Sequence, residues 1–170
     1  MSLKIEDKKY EVGFFGGKFF PFHKGHLFCT DVMTKECKKC YLILFIGGDV
    51  ELEILKSNSD SMLRPDVRWE AVKAVADMYD NVEAAIIDVT DVKLEDGSED
   101  WDGETPLVRA ICGEKIDAVY SSEVSYGEYF QRAYPEAKHR LVDPPRINYP
   151  ISATMIRNMA KDEDKRLWMV

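Results

Sequence analysis

The apolar residues of this 170-residue chain follow two patterns, short continuous runs and longer segments where they recur every three or four positions. The runs predict buried strands and the longer period predicts helices packed on the sheet. Strands are predicted at residues 12–16, 41–46, 82–88, 116–121 and 139–142. Helices are predicted at residues 26–38, 65–79, 106–113 and 124–134, with a last one from about Ser152. This alternation indicates an α/β, Rossmann-like fold of about five parallel strands with helices on both faces.

The junction between the first strand and the first helix concentrates residues that suit an anion. Gly16 and Gly17 end the strand, Lys18 follows, and the helix opens with the run His23-Lys24-Gly25-His26. In open α/β sheets ligands bind at the carboxyl ends of strands, and the start of a helix offers unpaired N–H groups to an anion. The junction therefore predicts a phosphate-binding site, where the glycines let the backbone approach closely.

These glycines follow neither of the two commoner phosphate-binding patterns. The sequence contains no Gly-x-x-x-x-Gly-Lys-Ser/Thr, so a P-loop kinase or GTPase is unsupported. It contains no Gly-x-Gly-x-x-Gly either, which argues against a Rossmann dehydrogenase. A different class of phosphate site is therefore expected.

A second candidate phosphate-binding stretch, residues 151–157, has the sequence Ile-Ser-Ala-Thr-Met-Ile-Arg and lies about 125 residues further on. Ser152 or Thr154 can cap a helix, and the planar guanidinium of Arg157 suits phosphate. Together the two stretches resemble the nucleotidyltransferase superfamily that carries His-x-Gly-His. Ala153 stands where that superfamily has a second serine, and we expect it to be tolerated because no backbone donor is lost.

The resemblance is closest to the nicotinamide-mononucleotide adenylyltransferase domains of the bifunctional bacterial regulators of NAD biosynthesis. It is carried by residues 17–26, 64–69, 101–102, 117–123 and 141–146. It implies direct in-line transfer of AMP from ATP, with Mg²⁺, to nicotinamide mononucleotide, giving NAD and pyrophosphate. We expect one nucleotidyltransferase domain over residues 1–170, with room for neither the DNA-binding domain nor the kinase domain of those regulators.

The resemblance also implies roles for individual residues. His23 and His26 would donate hydrogen bonds to the α- and β-phosphates of ATP, while Lys18 and Arg157 would neutralise the leaving pyrophosphate. Trp101 would stack on the nicotinamide ring, whose positive charge favours a tryptophan face. The other implied contacts to ATP are made by Gly16, Gly17, Phe19, Gly25, Ser122, Arg146, Ile151, Ser152 and Thr154.

Alternative functions stay open at this point. The acceptor could be another phosphate monoester, such as a pantetheine phosphate or the acid analogue of nicotinamide mononucleotide, or the nucleotide could be CTP. A non-catalytic sensor that binds NAD or ATP would need only the binding residues.

Zinc is a further alternative for the histidines and cysteines. His23, His26 and Cys29 recur every three residues, and Cys37 and Cys40 form a Cys-x-x-Cys. Burial explains the same cysteines as small apolar side chains, with Cys29 and Cys37 on the inner face of the first helix.

Charge and hydropathy limit the partners and the compartment. The net charge is −8, of which −7 falls between Asp88 and Glu104, so nucleic acid is a poor partner. That stretch predicts a solvated loop, although Trp101 within it suggests contact with a ligand. No apolar run approaches the roughly 20 residues that span a bilayer, and the polar N-terminus lacks a signal-peptide stretch. We therefore expect a cytoplasmic protein with reduced cysteines, and leave a homo-oligomer open.

Overall fold

Five parallel strands form one sheet in the order β3-β2-β1-β4-β5 in the computed structural model, which describes residues 8–57, 61–159 and 162–170. The strands are β1 (Tyr10–Gly17), β2 (Cys37–Ile46), β3 (Val82–Asp88), β4 (Ala118–Ser121) and β5 (Lys138–Leu141). The helices are α1 (Lys24–Glu36), α2 (Gly48–Ser57), α3 (Pro65–Ala76), α4 (Trp101–Cys112), α5 (Gly127–Ala133), α6 (Ala153–Arg157) and α7 (Asp162–Trp168). The predicted Rossmann-like α/β fold is confirmed.

The alternation of side chains along the central strand β1 divides the core into two layers. Phe15 packs with Leu42 and with apolar residues of α1 and α3 on one face of the sheet. Phe14 packs with Ile43 and with apolar residues of α4 and α5 on the other face. Helices therefore cover both faces, as predicted. The strand order reverses at β1, which lies between β2 and β4, and the carboxyl ends beside such a reversal form the usual ligand crevice.

The end of the first helix differs from the prediction. The helical spacing continues to Lys38, but α1 ends at Glu36 and Cys37 is the first residue of β2 rather than the inner face of a helix. Pairing of Cys37 with Tyr10 of β1 draws this residue into the sheet. The amide of Asn81 donates to the Cys37 carbonyl at 3.1 Å and supports this extended backbone.

Three other elements also depart from the predicted pattern. The fourth helix starts at Trp101 rather than Pro106, because the Asp100 carboxylate caps it by accepting from the Gly103 N–H at 3.1 Å. Met78, predicted to be inward, is exposed because α3 ends two residues earlier. The segment predicted as a helix over 124–134 is a 3-10 turn followed by the shorter α5.

Helix α2 was not predicted, because its buried position is occupied by Glu51 while Val50 and Leu52 are exposed. Glu51 on its inner face is buried, and Arg68 of α3 pairs with it. The polar N-terminal residues used to argue against a signal peptide include 1–7, which lie outside the described residues.

Candidate active site

His23 and His26 lie at the start of α1, immediately beyond the carboxyl end of β1. His23 is the N-cap residue, and its Nδ1 accepts from the backbone N–H of Gly25 at 3.0 Å and of His26 at 3.4 Å. The Nδ1 of His26 accepts in return from the backbone N–H of His23 at 3.0 Å. The two imidazoles therefore form a reciprocal capping box and stack, with their ring centroids 3.6 Å apart.

This capping arrangement defines the protonation of both rings. An imidazole nitrogen that accepts a hydrogen bond carries no proton, so the neutral ring holds its proton on Nε2. Burial and, to a smaller extent, the charge of Arg146 lower the pKa of His23 to about 4. Burial, together with His23 and Arg146, also lowers the pKa of His26 well below its usual value. At neutral pH the pair thus offers two uncharged Nε2–H donors.

Gly25 is required by the packing of His23. A Cβ at position 25 would lie 2.8 Å from the Cε1 atom of the His23 ring, closer than carbon atoms approach. Gly16 is restricted in the same way by the ring of Phe45, at 2.6 Å. The glycines therefore serve close packing as well as backbone access to a ligand.

The second predicted stretch, residues 151–157, is joined to the loop before α1 by Arg157. Arg157 donates from Nη1 to the carbonyl of Phe20 at 2.9 Å and from Nη2 to the Thr154 hydroxyl at 3.2 Å. Ser152 caps α6, where its hydroxyl accepts from the Met155 N–H at 3.2 Å. The fold thus joins the two predicted phosphate-binding stretches.

Arg146 has a strained backbone, with a φ of 56°, and its guanidinium bridges two segments. Its Nη1 donates to the carbonyl of Ile151 at 3.0 Å and its Nη2 donates to Glu123 at 2.5 Å. Since Arg146 also lowers the pKa of both histidines, its positive charge lies within electrostatic reach of them. Ser122, half-buried, follows β4 directly, so it lies at the same edge of the sheet.

A cavity of about 210 Å³ opens beside Gly16, Gly17 and Lys18. Trp101 at the start of α4 forms part of its wall, together with aromatic side chains of the segment 126–134. Trp101 is 36% exposed and its ring contacts those of Tyr126 and Tyr129 at centroid distances of 5.2 and 5.5 Å. Trp101 thus lies in a helix that faces a cavity, not in a solvated loop.

Glu99 connects this cavity to the glycine loop. It accepts from Lys18 Nζ at 2.9 Å on one oxygen and from Trp101 Nε1 at 2.8 Å on the other. Burial opposes ionisation of Glu99, but these two hydrogen bonds and the charge of Lys18 contribute to a net lowering of the pKa of Glu99 below its usual value. Lys18, predicted to contact phosphate, is therefore paired with a carboxylate in this state of the protein.

Glu104 lies on the same cavity wall and is 8% exposed. Burial and the neighbouring Glu99 carboxylate together raise its pKa to about 8. Its Oε1 is the one buried side-chain nitrogen or oxygen atom without a hydrogen-bond partner in the described part of the chain.

Sequence reasoning missed Glu99 and Glu104 as site residues because both belong to the acidic stretch. The spacing of three residues between Trp101 and Glu104 was an available signal, since it brings both onto one helical face. It also missed Arg68, whose buried guanidinium donates to the Lys18 carbonyl at 2.8 Å and lies 4.0 Å over the Phe20 ring.

The described residues contain neither a cluster of metal-ligand side chains nor a membrane-spanning helix. Within residues 8–57, 61–159 and 162–170, no three or more His, Cys, Asp or Glu side chains are grouped to hold a metal ion. All four cysteines are buried and unpaired by disulfides. No helix of the described chain is long and apolar enough to cross a membrane.

The parallel sheet, with its strand order and the helices on both faces, defines a Rossmann-like α/β protein with a crevice at the carboxyl edge. The sequence matches no family profile and no curated protein. Solved structures share the fold. NadR in complex with NAD and AMP-PNP is 19% identical at a TM-score of 0.59, over 89% of this chain and 43% of that one.

A second solved protein has the same fold. The bifunctional NMN adenylyltransferase/ADP ribose pyrophosphatase from Francisella tularensis is 21% identical at a TM-score of 0.60, over 87% of this chain and 41% of that one. A structure of this bifunctional protein complexed with AMP and manganese is 20% identical at a TM-score of 0.58, over 94% of this chain and 44% of that one. The chain thus spans less than half of each of these proteins, and at these identities the likeness concerns the fold.

Proposed function

We propose that this chain is an adenylyltransferase that joins ATP and nicotinamide mononucleotide to give NAD and pyrophosphate. The observation that carries the proposal is the pair of neutral imidazoles at the start of α1, His23 buried and His26 half-buried, each with its proton on Nε2. Two preorganised donors beside a helix N-terminus match the charge that develops on phosphate oxygens during transfer. The shared fold with NadR and with an NMN adenylyltransferase supports the same reaction.

The reaction would be a single in-line displacement. An oxygen of the 5′-phosphate of nicotinamide mononucleotide attacks the α-phosphorus of ATP and forms the new P–O–P bond. The bond from the α-phosphorus to the bridging oxygen breaks, and pyrophosphate leaves with that oxygen and its electron pair. The nucleophile is already an anion, so the step needs positioning and charge stabilisation rather than a strong base.

The residues would divide this work between two regions. His23 and His26 would donate from Nε2 to the α- and β-phosphates, and Arg157 and Arg146 would supply positive charge for the leaving pyrophosphate. Gly16, Gly17, Phe19 and Gly25 would shape the phosphate loop, and Ser122, Ile151, Ser152 and Thr154 would contact ATP. Mg²⁺ would enter on the phosphates of the ATP substrate.

Lys18 and Trp101 would act where the two substrates meet. Trp101 would stack on the nicotinamide ring within the cavity. Lys18 lies between this cavity and the glycine loop and is paired with Glu99. A cationic ring near Glu99 would weaken that pair and make Lys18 available to a phosphate.

Pyrophosphate release from ATP and Mg²⁺ tests the proposal across a panel of acceptors. We expect release with nicotinamide mononucleotide, and NAD as the product. Release only with a pantetheine phosphate would replace nicotinamide mononucleotide as the proposed acceptor. Release only from CTP would replace ATP as the proposed nucleotide. Nucleotide binding with no turnover on any acceptor would make the chain a sensor.

The variant His26→Ala tests the catalytic role of the imidazole pair. We expect kcat to fall by at least about 10², the usual effect of removing one preorganised donor. Lys35→Ala, at an exposed position at the other end of α1, is the matched control and should keep wild-type turnover. Turnover near the wild-type value in His26→Ala would remove this role from His26.

A further inference from the structure

Glu104 is the feature of the cavity that its own packing leaves unexplained. The residue is more than nine-tenths buried and faces the cavity of about 210 Å³ beside Trp101. Its Oε1 has no hydrogen-bond partner anywhere in the described chain. Buried polar atoms are almost always paired, so an unpaired carboxyl oxygen in a cavity wall points to a ligand that supplies the partner.

The rest of the cavity indicates what kind of ligand fits. Its volume is below the roughly 300–1,000 Å³ of sites that enclose a drug-sized molecule, so it suits one substituted ring. Trp101, Tyr126 and Tyr129 offer aromatic faces, and Glu99 offers a carboxylate that is already paired with Lys18. Aromatic faces beside carboxylates favour a flat cationic ring, and Oε1 favours a ring substituent that donates a hydrogen bond.

We propose that Glu104 is the residue that makes the site specific for the amide over the acid mononucleotide, by accepting a hydrogen bond from the carboxamide NH₂. This inference rests on the proposed adenylyltransferase function and names the contact that selects its acceptor. Nicotinic acid mononucleotide differs by presenting a carboxylate at this point, which has no donor and is repelled by Glu99 and by the ionised form of Glu104. A site built to accept a hydrogen bond rejects the analogue that lacks the donor.

The ionisation of Glu104 adds a pH dependence to this selectivity. The groups that act on Glu104 or respond to its charge are Glu99, Asp100, Lys18, Tyr126 and Tyr129. Burial and Glu99 raise the pKa of Glu104 to about 8, so Glu104 is protonated over much of the neutral range and ionised above it. A protonated Glu104 can donate to the carboxylate of the acid analogue, whereas the ionised form cannot. Use of the acid analogue should therefore fall as the pH rises.

The test compares kcat/KM for the amide and acid mononucleotides in the wild type, Glu104→Gln and Glu95→Gln. Glutamine keeps the size of Glu104 and adds an NH₂ donor that suits a carboxylate. At a pH above about 8, where Glu104 is ionised, we expect Glu104→Gln to lower the amide-to-acid ratio by about tenfold or more, and to abolish the loss of acid use with rising pH. Glu95→Gln removes a charge from an exposed position of the same acidic stretch, and it should leave the amide-to-acid ratio and its pH dependence unchanged.

Each outcome decides one of the two proposals. A wild type that makes NAD, with the same amide-to-acid ratio in Glu104→Gln, overturns the role of Glu104 and leaves the function standing. A lower amide-to-acid ratio in Glu95→Gln as well would assign the selectivity to the charge of the whole acidic stretch, and would also overturn the role of Glu104. No dinucleotide from either mononucleotide in the wild type overturns the function, and the inference with it.

Discussion

Replacing Arg68 by methionine removes a buried cation that organises the candidate active site. Arg68 is 1% exposed, pairs with Glu51 of α2, and donates to the carbonyls of Leu63 and Lys18, each at 2.8 Å. Glu51 in turn accepts from the Gly47 N–H at the end of β2 at 2.5 Å. One guanidinium thus ties α2, α3 and the glycine loop together.

The magnitude follows from what the substitution leaves behind. Removing one partner of a buried ion pair typically costs about 3–5 kcal/mol, because the remaining charge has no compensation. Methionine fills much of the volume, so the loss comes from Glu51 and the two carbonyls rather than from a cavity. We expect the free energy of unfolding of Arg68→Met to fall by about 4 kcal/mol. Urea unfolding followed by circular dichroism measures it.

The double variant Arg68→Met/Glu51→Gln provides the control, because it also removes the orphaned charge. Its free energy of unfolding should recover by about 2 kcal/mol or more, since burying a neutral amide costs less free energy than burying a carboxylate. A fall below about 1 kcal/mol in Arg68→Met, or no recovery in the double variant, would refute the assigned role of the ion pair.

Two further predictions concern the histidine pair. Gly25→Ala should lower the free energy of unfolding in urea by about 1–3 kcal/mol, because the added methyl group overlaps the His23 ring. The same change should lower kcat by a larger factor than it raises KM. A wild-type kcat would contradict the packing argument. The pKa of His23 is about 4 in the folded protein and about 6.5 in the unfolded chain, so between these pH values the unfolded chain binds more protons. The free energy of unfolding should therefore fall as the pH drops from 6.5 toward 4. His23→Asn should weaken this dependence in thermal unfolding, and an unchanged dependence would show that other groups cause it.

The sequence was sufficient to place the strands and the loop before α1 because both depend on local pattern. Val82–Asp88 is an apolar run between polar turns, and it forms β3 with the predicted bounds. The proximity of His23 and His26 follows from their spacing of three residues at the start of a helix. Local periodicity failed at Cys37, where pairing with β1 decided between helix and strand.

The contacts around the cavity could not be predicted, because they join residues far apart in the chain. The partner of Lys18 is Glu99, and nothing near Lys18 in the sequence indicates it. The start of α4 at Trp101 depends on the cap from Asp100, one of many acidic residues in its stretch. Arg68 appeared only as part of a resemblance, since burial of an arginine depends on a carboxylate supplied by α2.

The most direct test of adenylyl transfer is to measure both products from one reaction of ATP, Mg²⁺ and nicotinamide mononucleotide. Chromatography should show NAD and pyrophosphate in equal amounts with the wild type, and neither with His23→Ala/His26→Ala in a variant that keeps its fold by circular dichroism. Pyrophosphate without NAD, or equal turnover in the double histidine variant, would contradict the account.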